Sequence, residues 1–191
     1  MEPGPRFGEA LAYASQLHAL QKRKRVETPY VAHLLAVAAI VLEHGGDEDE
    51  AIAALLHDAV EDQGGAPRLN EICERFGAVV AEIIAGCTDA DTIPKPPWRA
   101  RKDAHIAHLP TASRSVQLVC AADKLHNVRA LCEDYRHCGE SLWQHFNGGR
   151  DGTLWYYRAV LDCLDKLQGT ELLAQLTRAV EELERLAAAR V

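Results

Sequence analysis

What this chain lacks narrows it first. No apolar run extends beyond Leu34–Leu42, whereas a bilayer-spanning helix needs roughly 20 such residues. The opening MEPGPRFGEA has neither the basic nor the apolar segment of a secretory leader. Six cysteines are present (Cys73, Cys87, Cys120, Cys132, Cys138 and Cys163), but no CxxC pair and no framework spacing. That argues against a zinc finger and reads as reduced thiols packed on helices of a cytoplasmic protein. Positive charge is short: 21 Lys and Arg face 28 Asp and Glu, a net charge of −7. Such a balance argues against a nucleic-acid polymer or a membrane surface as partner. Internal repeats, low-complexity segments and alternating β-branched runs are absent or scarce.

What is there is helical periodicity. At 191 residues, 48% hydrophobic and 26% charged, the chain fits one soluble domain, 1–191, with a sizeable core. Phe7, Leu11, Ala14 and Leu17 mark a first helix over Phe7–Gln21. A second covers Pro29–His44 and ends at Gly45-Gly46, and a third covers Glu48–Asp62 and ends at Gly64-Gly65 and Pro67. Leu69–Phe76 and Val79–Cys87 read as a short pair. The prolines of TIPKPPWRARK interrupt the pattern before a helix from about Pro97 to His108. Ser113–Tyr135 is the long central helix, and Thr153–Gln168 and Glu171–Arg190 close the chain. The expected class is all-α.

Chemistry concentrates in AALLHDAVEDQ, where His57, Asp58, Glu61 and Asp62 follow an apolar run directly. On one continuous helix His57 would sit above Glu61 and Asp58 above Asp62. That crowding points to a metal, an anion-processing site, or both. Asp123 follows Val119, Cys120, Ala121 and Ala122, so its carboxylate should point inward and require a partner. The two imidazoles of His33 and His57 with the two carboxylates of Asp58 and Asp123 make a nitrogen and oxygen donor set suited to Mn²⁺, Fe²⁺ or Zn²⁺ and not to Ca²⁺.

The ordered pattern His33, His57-Asp58, Asp123 resembles the signature of the HD phosphohydrolase superfamily. The blocks TPYVAH, ALLHDAVED, CTDADTIPK and ADKLHNVRAL together resemble its alarmone hydrolases. These are the hydrolase domains of the Rel/SpoT enzymes and their stand-alone forms, the metazoan SpoT homologue among them. The resemblance implies an HD-domain helical bundle with a core at about 7–164 and a closing helix at 171–190. It implies that His33, His57, Asp58 and Asp123 hold one metal ion, usually Mn²⁺, and that Glu61 and Asp62 act on the attacking water and on proton transfer. It maps nucleotide contacts onto Arg23 and Lys24, a phosphate-side lysine onto Lys95 and a ribose-side asparagine onto Asn127, and it places Arg150 to close over the substrate.

The activity so implied is removal of the 3′-pyrophosphate from (p)ppGpp or (p)ppApp by a cytoplasmic monomer or homodimer. Two alternatives stand beside it: removal of a single phosphate, as from NADPH, and a non-catalytic module that senses an alarmone. The intact Glu61-Asp62 pair speaks against the second. The remaining histidines, His18, His44, His105, His108, His126, His137 and His145, read as packed or capping residues, with His126 expected to face away from Asp123. Trp155, Tyr156 and Tyr157 read as core or pocket wall.

Overall fold

The computed structural model describes residues 3–23, 27–90 and 94–189. The helices are α1 (Pro5–Leu17), α2 (Val31–Glu43), α3 (Glu48–Leu56), α4 (Ala59–Gln63) and α5 (Gly65–Phe76). They continue as α6 (Ala78–Cys87), α7 (Trp98–His108), α8 (Arg114–Cys138), α9 (Gly149–Asp162) and α10 (Glu171–Ala188). Short 3₁₀ segments, Gly139–His145 and Asp165–Leu167, link the last three. Among the described residues β structure is confined to a bridge between Lys22 and Pro29. The class is therefore all-α. No described helix is long and apolar enough to cross a membrane.

α8 is the axis of the bundle. Ser113 starts it, its hydroxyl accepting from the Val116 N–H at 3.2 Å, as a helix N-cap does. Every residue from Val116 to Asp123 is buried, because α2, α3, α6 and α10 pack around this segment. α10 covers one side with Leu172, Leu176, Val180, Leu183 and Ala187, spaced three or four apart as a single apolar stripe. α3 is aimed by a capping box. The Asp47 carboxylate accepts from the Glu50 N–H and the Glu50 carboxylate from the Asp47 N–H, both at 2.8 Å.

One continuous helix over 48–62 is not what forms. The chain breaks at His57-Asp58 between α3 and α4, where Asp58 adopts φ −93° and ψ −3°. The cause is local. Nδ1 of His57 lies 2.8 Å from the Ala54 carbonyl, the acceptor that an unbroken helix would offer to the Asp58 N–H. Helical bonding resumes one turn on, from the Asp62 N–H to the Asp58 carbonyl at 3.0 Å.

Other boundaries also differ from the expectation, and α1 stops at Leu17 rather than Gln21. α5 begins at Gly65 rather than Leu69, since Pro67 falls in its first turn, where no donor N–H is needed. α9 begins at Gly149 and stops at Asp162, with Asp165–Leu167 tightening into a 3₁₀ turn.

Candidate metal centre

Four side chains from three parts of the bundle converge. α2 delivers His33 from its first turn, the α3–α4 break delivers His57 and Asp58, and α8 delivers Asp123. Nε2 of His33 lies 3.3 Å from Oδ1 of Asp123 and 3.6 Å from Oδ2 of Asp58. Nε2 of His57 lies 3.0 Å from Oδ2 of Asp58 and 3.6 Å from Oδ1 of Asp123. Ligand atoms of His33, His57 and Asp58 all lie within 4.8 Å of one another.

This donor set fits a metal ion. Nε2 of His57 is buried and makes no hydrogen bond despite the nearby carboxylate. The two groups thus face a common point rather than each other. His57 is already oriented, because its Nδ1–H is given to Ala54 and Nε2 is left to face the centre. Burial works against charge on His57, yet Asp58 and Asp123 outweigh it and hold the imidazole pKa well above its ordinary value. Burial also opposes ionisation of the two acids. The His57 charge nevertheless holds Asp58, and the Lys124 charge holds Asp123, well below the usual carboxylate range. Buried carboxylates that stay ionised favour a cation, and a divalent metal would displace the imidazole proton.

A second layer of hydrogen bonds holds these side chains. The Tyr30 hydroxyl donates to Oδ2 of Asp58 at 2.6 Å, and Nζ of Lys124 donates to Oδ2 of Asp123 at 2.6 Å. The Asn127 amide donates to Oδ1 of Asp123 at 2.5 Å and accepts from Nη2 of Arg23 at 2.8 Å. Nδ1 of His126 lies 2.8 Å from Nδ1 of His33. The expectation that His126 faces away is thus corrected, because three residues along a helix bring it back toward the face of Asp123. Burial, with the charges of His33 and Arg23, pushes the His126 pKa down to about 4. It stays neutral and can accept the Nδ1–H of His33.

The second acidic pair stands beside this centre. Glu61 lines the same recess as His57, Asp58 and Asp123. Nζ of Lys95 lies 2.8 Å from Oε1 of Glu61 and 3.5 Å from Oδ1 of Asp62. Burial and the Asp89 carboxylate raise the Glu61 pKa, with Lys95 pulling the other way. Asp62 also accepts from Gln21 at 2.8 Å. Asp89 in turn is gripped by Arg101 and Lys102, each at 2.6 Å. The recess holds about 40 Å³, room for an ion and a few waters but not for a nucleoside.

Arg23, Lys95 and Asn127 therefore sit around the ligands and the acidic pair. Lys24 lies outside the described residues. Arg150 is placed elsewhere: its Nη2 donates to the Ala187 carbonyl near the end of α10 at 2.8 Å. That is a correction to its expected position over the substrate. The glycines of NGGRDGT start α9 and leave Arg150 facing the last turn of α10. His105, expected as a packed residue, lines the recess. Tyr30, Lys124 and His126 bond the converging side chains and Asp89 lines the recess, and site reasoning on single residues missed all four. All four lie within the blocks TPYVAH, CTDADTIPK and ADKLHNVRAL, and block membership was the signal available.

Comparison with known proteins agrees with this geometry. Residues 10–154 match the family model described as HD domain. The chain is 41% identical over 138 residues to guanosine-3′,5′-bis(diphosphate) 3′-pyrophosphohydrolase MESH1 of Xenopus tropicalis, covering 71% of this chain and 72% of that protein. It is 34% identical over 178 residues to the protein of that name from Homo sapiens, covering 92% and 90% of the two. A solved structure, described as a metazoan orthologue of SpoT that hydrolyses ppGpp, superimposes with a TM-score of 0.76 at 28% identity, over 100% of this chain and 98% of the other. Since the matched span is more than half of the chain and carries all four converging side chains, the chain belongs to the HD-domain family.

Proposed function

We propose that this protein is a metal-dependent hydrolase that removes the 3′-pyrophosphate from alarmone nucleotides, with ppGpp as its first substrate. The observation that carries the reading is the convergence of His33, His57, Asp58 and Asp123 beside the Lys95–Glu61 pair. The relatives named as 3′-pyrophosphohydrolases support it. His33, His57, Asp58 and Asp123 would hold the divalent ion, for which Mn²⁺ suits the mixed nitrogen and oxygen set. When bound, such an ion supplies Lewis acidity, offsetting phosphate charge and lowering the pKa of water.

The chain's own residues do the rest. Glu61, its pKa raised by burial and Asp89, is suited to accept the proton of the attacking water. Asp62, held by Gln21, orients that water. Lys95 exchanges Glu61 for a phosphate oxygen as substrate arrives, which frees the base at the moment of need. Arg23 and Asn127 hold the nucleotide side, joined by Lys24. Water attacks the 3′ phosphorus, the bond to the ribose 3′ oxygen breaks, and pyrophosphate leaves from a nucleoside still phosphorylated at 5′.

α10 packs along α8 and α9, which supports reading 1–191 as one unit with α10 as its closing helix. The six free cysteines suit a cytoplasmic protein, working as a monomer or homodimer. Purified protein reloaded with Mn²⁺ and presented with ppGpp, ppApp and NADPH tests the proposal. Pyrophosphate release from ppGpp is expected. Release of orthophosphate alone, or tight binding of a nucleotide without turnover, overturns it.

A further inference from the structure

Two thiols meet in the wall of the recess. Sγ of Cys87, at the end of α6, lies 3.5 Å from Sγ of Cys120 in α8. The helices approach so closely because Gly86 has no side chain: a Cβ there would lie 2.6 Å from Cγ2 of Val116. Cys120 is buried and Cys87 half-buried, and both line the recess that holds His57, Glu61 and Asp123. The Cys87 thiol also approaches the Val116 carbonyl, at 3.9 Å, while Cys132, Cys138 and Cys163 point theirs at the carbonyls of Ala179, Asp134 and Ile106. The proposed hydrolysis uses neither Cys87 nor Cys120. The Cys87 contact, helped by His105 and Lys124 against burial, holds the Cys120 thiol below its ordinary pKa.

We propose that Cys87 and Cys120 form a reversible dithiol–disulfide pair through which a hydroperoxide turns the catalytic recess off. The Cys120 thiolate attacks one oxygen of the hydroperoxide. The O–O bond breaks, leaving a sulfenic acid, and the other oxygen departs as water or an alcohol after taking up a proton. The Cys87 sulfur then displaces the sulfenic hydroxyl, which leaves as water with the Cys87 proton. One S–S bond replaces two S–H bonds, and two electrons pass from the sulfurs to the peroxide. A small-molecule dithiol reverses the bond by exchange.

The bond shuts the site because the sulfurs must close from 3.5 Å to about 2.05 Å. With room for no more than a glycine at 86 beside Val116, α6 and α8 are already closely packed there. Cys120 lies one turn before Asp123 on α8, so drawing its sulfur toward α6 acts on the turn that carries that carboxylate. A displacement of about 1 Å at a catalytic group costs roughly 10²-fold in rate.

The effect on turnover rests on the function proposed above, whereas the bond itself does not, so the test reads both. The Mn²⁺-loaded protein is treated with hydrogen peroxide, digested without reduction and mapped by mass, and in parallel assayed for Mn²⁺ affinity and for ppGpp hydrolysis. A Cys87–Cys120 cross-linked peptide, lighter by two hydrogens, is expected. Turnover should fall about 10–100-fold and return with dithiothreitol. Cys87→Ser, compared with its own untreated form, should resist the loss; Cys120→Ser provides the same comparison if the first variant folds poorly. If no nucleotide is hydrolysed at all, a reversible fall in Mn²⁺ affinity on cross-linking takes the place of turnover. Absence of the cross-link overturns the proposal. So does a cross-linked protein with unchanged affinity and turnover, or inactivation of the serine variant as deep as that of the parent.

Discussion

Nζ of Lys95 lies 2.8 Å from Oε1 of Glu61, so the residue assigned to phosphate is also the one that steadies the assigned base. Burial and Asp89 raise the Glu61 pKa while Lys95 lowers it. Glu61 must be ionised to accept a proton, so activity falls as pH drops through its pKa. Lys95→Met removes the opposing charge, raises that pKa further and should move the acid limb of kcat/KM to higher pH. A pH–rate profile checks this, and a limb that stays in place or moves down contradicts it.

Glu61→Gln combined with Asp62→Asn keeps size and hydrogen bonding while removing both negative charges. Turnover should collapse by ~10²–10⁴-fold, the usual cost of losing a general base. Mn²⁺ affinity should be nearly unchanged, because neither residue belongs to the converging set. Kinetics and calorimetry on the same preparation separate the two effects.

Asp123 and His126 should differ in degree. Asp123→Ala removes an inward-facing anionic ligand and should abolish stoichiometric metal binding. His126→Phe leaves every ligand in place but removes the partner of Nδ1 of His33, and should weaken metal affinity by ~10–100-fold. Titration calorimetry with Mn²⁺ distinguishes them, and equal affinities in the two variants would mean that the layers are misassigned.

Metal removal gives a coarser check. Chelation should extinguish hydrolysis, and readdition across a series of divalent ions should restore it best with Mn²⁺. Full turnover in protein shown by elemental analysis to be stripped would be incompatible with the ligand set assigned to His33, His57, Asp58 and Asp123.

Arg150→Ala tests placement rather than chemistry. Its guanidinium bonds the Ala187 carbonyl at 2.8 Å, so loss should cost stability, about 1–3 kcal/mol for a hydrogen bond from a charged group. KM for the nucleotide should not move. Urea midpoints and steady-state kinetics read the two quantities, and a raised KM with unchanged stability would restore Arg150 to the substrate.

Read alone, the sequence determined the all-α class and the long central helix, and it marked His33, His57, Asp58 and Asp123, which the fold brings together. The helical repeat of apolar residues survives any packing arrangement, and an aspartate after Val119–Ala122 has nowhere to point but inward. It did not determine the break at His57-Asp58, since whether an imidazole takes a backbone carbonyl depends on the space around it. Nor could it decide which histidine would be the partner of His33, where Arg150 would spend its charge, or that Cys87 would meet Cys120. The His33–His126 and Cys87–Cys120 contacts join residues 93 and 33 positions apart, brought together by packing of α2 and α6 against α8, and the Arg150–Ala187 contact depends on α9 lying against α10. Sequence periodicity specifies which face of each helix is buried, while the rotation and approach of neighbouring helices decide which polar groups on those faces touch.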